Sequence, residues 1–396
     1  MMNTFIGIDW ADKKHDVCAL SPKGDILAEF IIADTVKGFE QLHTFLKSQD
    51  KVEILIEKPN GLLVEFLLQR GWCVKMITPS VSASRRPRRS KTDTGDAFLL
   101  ANLLRMNDPD CHLIHQDSAL VQELRQVVDA HVNLQREKQR LILQLRYVLK
   151  QYYPMIFNIF PKLGTKLTLN FLETYPTPQD AKAASLDEIR HFFKSQVYRY
   201  MDRVPHKYQQ LQKASVTAQA QTGFAMRVLS LVRVLKVMVQ EVKALQKSVI
   251  QLFKQHPDYD WWLQFPGLGK LNAARLLSRI GDNRQNFKSA DHLRAVAGTV
   301  PVTRHSGKRK QVLFRQQCSH SLRKLMFDFA MKSKSQCDWA KGYFESQLDR
   351  GHMKSRAYRA LANRWAGIIW KLWQTGEVYD EKVHQANRQQ ALVQSA

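Results

Sequence analysis

Residues 5–20 of the 396-residue chain read FIGIDWADKKHDVCAL. Thr4 to Ile8 is a short apolar run that ends at Asp9 and Trp10. His15 to Leu20 is a second run. Ile26 to Ile32 is a third, reached through the turn Ser21-Pro22-Lys23-Gly24-Asp25. Short apolar runs closed by turn residues predict strands joined as hairpins. Working outward, Phe39, Leu42, Phe45 and Leu46 give Gly38 to Leu46 a helical spacing. Val52 to Ile56 reads as a strand with Glu57 at its end, Leu62 to Leu68 as a helix, and Trp72 to Ile77 as a strand closed by Thr78-Pro79. The order strand, strand, strand, helix, strand, helix, strand predicts a mixed α/β layer with polar chemistry at the strand ends. A Ser/Arg-rich loop, SVSASRRPRRSKT at 80–92, precedes a helix from Asp93 to Leu104.

The middle of the chain has another period. Leu120, Leu124, Val127, His131, Leu134, Lys138, Leu141, Leu145 and Val148 alternate at spacings of four and three. Val228, Leu231, Leu235, Met238, Val242, Leu245, Val249 and Leu252 do the same. Such a narrow apolar seam is the coiled-coil signature, and it leaves open whether the seam closes within or between chains. Between the two runs, Tyr152 to His206 contains several prolines and reads as an insertion of short helical pieces. From Pro257 the aromatic-rich DYDWWLQFPGLGK leads into the helix LNAARLLSRIG. A loop at 282–292, a short helix at 292–297 and a loop from Gly298 to Lys310 follow. Helical patterns resume at 319–348 and 354–375, and the polar end His384 to Ala396 is expected to fray. The expected architecture is α/β plus all-α, in three segments: 1–110, 111–255 and 256–396.

The net charge is +24, and it is unevenly placed. Residues 1–110 are neutral, whereas 111–255 carry +11 and 256–396 carry +13. A basic excess on this scale points to a polyanion, most simply nucleic acid, without choosing DNA or RNA. Hydrophobic residues at 44% exclude disorder as the main state. No apolar run approaches the ~18–20 residues of a membrane span. Five scattered cysteines without a C-x-x-C pair fit neither a disulfide framework nor a zinc ribbon. The start, MMNTFIGIDWADKK, is charged where a signal peptide is apolar, so a cytoplasmic protein is expected.

Four carboxylates carry the candidate chemistry. Asp9 ends the first strand, Glu57 ends the strand in ILIEKPNG, and Asp93 and Asp96 stand three apart at a helix start in KTDTGDA. Spacing of three puts two side chains on one helical face. Strand-end and helix-start carboxylates that converge supply hard oxygen ligands for one or two Mg²⁺ (or Mn²⁺) ions. Singly, each reads equally as a solvated strand end or a helix-dipole partner. Arg85, Arg86, Arg88, Arg89 and Lys91 make the neighbouring loop a candidate nucleic-acid contact. Further on, Gly267, Gly269 and Lys270 in FPGLGKLNAARLL have the form of a helix-hairpin-helix turn, whose exposed N–H groups bind phosphate; an ordinary tight turn reads the same. In the loop after Gly298, Ser306 lies among Arg304, Lys308, Arg309 and Lys310. These cations can polarise a phosphate for attack by the hydroxyl, which read alone is simply a phosphate hydrogen-bond donor.

FIGIDWADKKHDV, ILIEKPNG, SKTDTGDA, FPGLGKLNAARLL, VAGTVPVTRHSGK and SLRKLMFDFA, in this order, resemble the DEDD transposases of the IS110 and IS1111 insertion sequences and their Piv/MooV invertase relatives. The resemblance covers roughly 1–110 and 256–380. It implies an RNase H-like (RuvC-like) domain with Asp9, Glu57, Asp93 and Asp96 as metal ligands, and a helical C-terminal transposase domain with Ser306 as nucleophile. It further implies a covalent phosphoserine link to DNA and a composite site built by two subunits. A non-coding bridge RNA that selects donor and target DNA, and dimers that pair into tetramers through coiled coils, are also implied, in a nucleoid-associated bacterial protein. The chain departs from the pattern after Glu57, where Lys58-Pro59-Asn60-Gly61 replaces a small residue and Thr-Gly. A RuvC-type nuclease in which water attacks shares the four carboxylates and leaves Ser306 without a role.

Overall fold

The computed structural model describes residues 3–57, 60–86, 93–213, 221–306 and 309–383. The chain divides into two compact units, Met1–Asp117 and Ser118–Ala396.

In the first unit the strands are β1 (Asn3–Trp10), β2 (Lys14–Leu20), β3 (Ile26–Ala33), β4 (Lys51–Ile56), β5 (Val74–Met76) and the two-residue β6 (His112–Leu113). The helices are α1 (Val36–Lys47), α2 (Leu62–Gln69), α3 (Pro79–Arg85) and α4 (Asp93–Arg105). Among the described residues these strands form one sheet in the order β3-β2-β1-β4-β5-β6. The β1–β2 and β2–β3 pairs are antiparallel, as hairpins require, and β1–β4 and β4–β5 are parallel crossovers. The α/β layer expected from the sequence is therefore present. The helix α3 corrects the expectation of a loop at 80–92: Pro79 occupies the first turn, where its missing N–H costs nothing, and Thr78 precedes it in extended backbone.

Side chains alternate across the sheet. Ile6, Ile8, Val17, Ile54 and Ile56 face α1 and α2, packing on Phe39, Leu42, Leu63 and Leu67. Leu55, Cys18 and Leu20 face the other way, onto Leu100, Leu104, Ala97 and Ala101 of α4. Gly7 lets α4 approach: a methyl group there would collide with the Ala97 carbonyl and the Ala101 amide.

The second unit opens with α5 (Ala119–Tyr152). The short helices α6 (Ile156–Ile159), α7 (Lys166–Thr174), α8 (Pro178–Ala183), α9 (Leu186–Ser195) and α10 (Val204–Gln212) follow, and α11 (Gln221–Lys254) returns. The C-terminal part holds α12 (Tyr259–Leu263), α13 (Lys270–Ile280), α14 (Ala290–Val296), the hairpin β7 (Val302–Ser306) and β8 (Arg309–Leu313), α15 (His320–Ser333), α16 (Asp338–Asp349) and α17 (Lys354–Thr375). The two heptad runs pair within the chain. Val121, Leu124 and Val128 at the start of α5 meet Val249 and Phe253 at the end of α11. Leu145, Val148 and Leu149 at its end meet Val228, Val232 and Leu235. This is an antiparallel hairpin of two 34-residue helices.

The insertion has its own core, in which Phe160, Phe171, Leu172, Ile189 and Phe193 join the far end of the hairpin. Capping boxes at Thr177 and Ser185 start α8 and α9. The near end joins the C-terminal core around Trp262, Phe265, Phe329 and Trp365. The stretch from Gly298 to Lys310, expected as a loop, is largely the first strand and start of the second in the β7–β8 hairpin; Val302 pairs with Leu313 and Thr303 with Val312. Glycine and basic residues mask this alternation in the sequence. No described helix is long and apolar enough to cross a membrane.

Candidate active site

Asp9 is the penultimate residue of β1, two residues beyond Gly7 and four beyond Phe5, so it continues the sheet face that α4 covers. Glu57 follows β4 and continues the face of Leu55, two residues earlier. Ser82 of α3, fully buried, donates a hydrogen bond to Glu57 Oε1. Asp96 lies in the first turn of α4 and is 7% exposed. The parallel β1–β4 pairing brings Asp9 and Glu57 to the same end of the sheet. Asp93 is the first residue of α4; its side chain lies outside the described residues.

The structure brings in a further carboxylate, Asp16, which is not among the four that the sequence singles out. Asp16 pairs in register with Asp9, directly across the β1–β2 ladder, so both lie on one face. It is 4% exposed, and its carboxylate has no hydrogen-bond or ion-pair partner among the described residues. A cavity of about 350 Å³ opens beside it, lined by Asp16, Cys18, Glu29, Phe30 and Ala97 among others. Burial and the neighbouring Glu29 push the Cys18 thiol up to about 12, so it stays protonated. Spacing along the chain gives no sign that Asp16 faces Asp9, because the pairing arises only from the cross-strand register.

The donor set suits a hard divalent cation in its chemistry and in its shared sheet face. Arg86 stands in for such a cation, its guanidinium 2.7 Å from Asp96 Oδ1. Among the described residues no three His, Cys, Asp or Glu gather closely enough to hold a metal. Closing the set would require Arg86 to release Asp96 and Ser82 to share Glu57. Arg85, expected on a nucleic-acid surface, is held by Asp108 at 3.0 Å and Asp110 at 2.9 Å. Arg88, Arg89, Lys91 and Lys58 lie outside the described residues.

In the second unit Ser306 is the last residue of β7, directly opposite Arg309, with Arg304 opposite Gln311 and His305 opposite Lys310. The side chains from Arg304 to Lys310, and Lys308 altogether, lie outside the described residues. The base of the hairpin is well defined. Arg315 Nε donates to the Val300 carbonyl at 3.3 Å, and Thr299 Oγ1 bonds Asn363 at 3.0 Å. Arg323 donates to the Arg315 carbonyl and its guanidinium lies 4.2 Å from the Phe314 ring centroid. Arg359 covers the same ring at 5.2 Å. Burial and then the charges of Arg356 and Arg323 lower the pKa of Arg359. These arginines come from α15 and α17 as well as the hairpin, and sequence spacing alone gives no sign of their convergence.

At the FPGLGK turn, Gly267 has φ +79°, and a Cβ there would meet the Lys332 and Ser333 backbone at 2.8–2.9 Å. That glycine serves packing on α15. Gly269 is the exposed residue preceding α13, with open space around it, and Lys270 is exposed in the first turn. An unencumbered helix start of this kind suits a phosphate.

The chain matches two family models. One, described as a transposase of the DEDD IS110 type, covers residues 6–154. The other, described as transposase of the IS116/IS110/IS902 family, covers residues 262–345. The Mini-circle putative transposase for IS117 of Streptomyces coelicolor is 30% identical over 96% of each chain. The IS110 uncharacterized 43.6 kDa protein of that organism is 22% identical over 96% of each. The transposase for insertion sequence element IS1111A of Coxiella burnetii is 32% identical over 35% of this chain and 37% of its own. Acidic sheet end, basic helical unit and these matches define an enzyme of DNA transposition. The chain belongs to the IS110 family of insertion-sequence transposases.

Proposed function

We propose that this transposase is an RNA-guided DNA recombinase in which Ser306 is the nucleophile. The first unit is read as an RNase H-like (RuvC-like) DEDD domain within 1–110, residues 111–255 as the coiled-coil region, and 256–396 as the serine-bearing domain. The observation that carries the reading is the alignment of Asp9, Asp16 and Glu57 on one face and at one end of the sheet, the face covered by α4, whose first turn carries Asp96. Ser306 supplies the second half, at the end of a strand and opposite Arg309.

The serine Oγ forms a bond to phosphorus as the bond from phosphorus to the leaving deoxyribose oxygen breaks. The serine proton is lost to a base or solvent, and the leaving oxygen takes up a proton. Arg304, Lys308, Arg309 and Lys310 neutralise charge on the phosphoryl oxygens. Asp9, Glu57, Asp93 and Asp96 would hold Mg²⁺ or Mn²⁺, which when bound supplies charge neutralisation and orients the phosphodiester. Rejoining reverses the attack on a second DNA strand, with a bridge RNA choosing donor and target. Pairing of dimers into tetramers is supported by apolar side chains that the intrachain hairpin leaves exposed: Leu143 and Tyr147 on α5, and Val234 and Val237 on α11.

The test is a denaturing gel. Wild type with labelled DNA is expected to give a protein–DNA adduct that Ser306→Ala removes. An adduct persisting in the variant would overturn the serine assignment, and cleavage that survives without any adduct would favour water as nucleophile. Sequencing RNA that copurifies tests the guide: RNA from DNA flanking the gene is expected, and its absence would refute guidance.

A further inference from the structure

The second unit holds a cleft that no sequence motif marks. It lies among α5, α13 and α15, with a volume of about 580 Å³, inside the ~300–1,000 Å³ range of ligand sites. Three helices each contribute one face at three- and four-residue spacing: Asp129, Val132, Asn133 and Arg136 from α5, Arg275 and Arg279 from α13, Ser321, Lys324 and Leu325 from α15.

The cleft's charge is not balanced by protein. Arg136, Lys138, Arg275, Arg279 and Lys324 line it against the single carboxylate of Asp129. That carboxylate is engaged by Arg279, whose Nη1 lies 3.3 Å away. Asp328 faces Arg275 from beyond salt-bridge distance. Among the described residues, Arg136, Lys138, Arg275 and Lys324 make no salt bridge. Arg275 Nε is buried without a hydrogen-bond partner, and so are both ring nitrogens of the fully buried His131. Burial lowers the pKa of Arg275, and the nearby Arg279 and Arg136 lower it further while Asp328 opposes them. A structural ion-pair network would neutralise such charges. Here cations are gathered, Arg275 among them partly desolvated, and left facing a solvent-open hollow, which is the arrangement that an anion completes. The neutral donors Asn133, Gln135, Gln139 and Ser321 beside them suit an ester-linked phosphate, which offers several acceptor oxygens for one charge.

We propose that this cleft binds a nucleic-acid backbone, with Arg136, Lys138, Arg275 and Lys324 contacting phosphodiester groups. None of its lining residues belongs to the Ser306 hairpin or to the Gly267–Lys270 turn, although Arg275 and Arg279 lie on the helix that the turn opens. The proposal rests on the reading that the chain handles nucleic acid, and is independent of the nucleophile's identity.

The experiment measures binding by the full-length chain, without divalent metal. Fluorescently labelled duplex DNA, single-stranded DNA and duplex RNA, all of random sequence, are titrated over a range of salt. Arg136 and Lys324 are exposed, so Arg136→Gln/Lys324→Gln leaves the fold intact. Lys166→Gln/Lys194→Gln, two exposed lysines of the insertion, removes the same charge elsewhere. For B-DNA each lost phosphate contact flattens the log–log salt dependence by about 0.9, and at 0.1 M salt weakens binding roughly eightfold, hence roughly sixtyfold for two. The cleft variant is expected to show this loss on at least one polymer while the control pair does not, and the polymer affected identifies the backbone that occupies the cleft. Unchanged affinity and slope on all three polymers would overturn the proposal, as would an equal loss in the control. A protein that binds normally yet forms no covalent adduct would sink the serine reading and leave this one standing.

Discussion

Replacing Gly7 by alanine tests whether close contact between β1 and α4 builds the acidic end of the sheet. The added methyl would meet the Ala97 carbonyl oxygen, the Ala101 nitrogen and, at 2.9 Å, the Leu100 Cβ. Two of the three are backbone atoms, which no rotamer change can move aside. The helix must therefore back away, and its partners Leu55, Cys18 and Leu20 lose contact with it. Overpacking costs about 1–3 kcal/mol, and a backbone clash belongs at the upper end. About 3 kcal/mol is roughly 150-fold in the folding equilibrium. For a unit the size of Met1–Asp117 it lowers the melting midpoint by about 12 °C. Because α4 carries Asp93 and Asp96, the same shift should abolish strand cleavage at temperatures where the unit remains folded. Calorimetry of the full chain separates the units: only the transition of the first should move. Gly223→Ala is the control, since nothing lies within 4 Å of its added methyl in α11, and it should stabilise by about 0.5–1 kcal/mol. A Gly7→Ala protein that melts and cleaves like wild type would show that α4 is not seated by this contact.

Arg86→Gln should tighten Mn²⁺ binding, read by electron paramagnetic resonance, because the guanidinium no longer occupies Asp96; unchanged or weaker binding would remove Asp96 from the ligand set. Burial alone would raise the Asp282 pKa, but hydrogen bonds from Ser118 and the charge of His256 outweigh it and lower the value. Its contribution is therefore present above the ordinary carboxylate pKa near 4 and lost as pH falls through the lowered native one. Asp282→Asn should flatten the acid limb of the second unit's stability in urea titrations, and an unaltered limb would refute the assignment. Trp365→Ala should cost that unit about 3–5 kcal/mol, since the ring is fully buried against Phe329 and Trp339 and its Nε1 donates to Ser333. Trp365→Phe keeps most of the ring packing while losing the hydrogen bond and part of the ring volume, so it should cost clearly less, and equal losses in the two variants would show that packing is not the larger part.

The first unit was legible because strand and helix periods differ, and β1, β4 and α4 each keep one period between clear turn residues. Asp9, Glu57 and Asp96 stood out as charges at the ends of such elements. Asp16 did not, because its relation to Asp9 exists only through the cross-strand register. Arg85 and Arg86 read as a free basic patch, since their acidic partners Asp108, Asp110 and Asp96 lie ten to twenty-five residues along the chain. The heptads were plain, but an apolar seam is equally satisfied by a helix of the same chain or of another. The β7–β8 hairpin was hidden by a run of cations, and the α5–α13–α15 cleft draws on residues about 200 positions apart.

The hairpin of α5 and α11 is anchored by a separate core at each end, so its length acts as a ruler. Two 34-residue helices span about 51 Å. The seam fixes the rotational phase of the insertion as well as its distance. Deleting one heptad from each helix would draw the insertion in by about 10 Å while keeping its orientation. Deleting four residues from each would swing the module around the helix axis. Relatives that differ here are therefore expected to change in steps of seven, so that whatever the insertion touches is met from the same side.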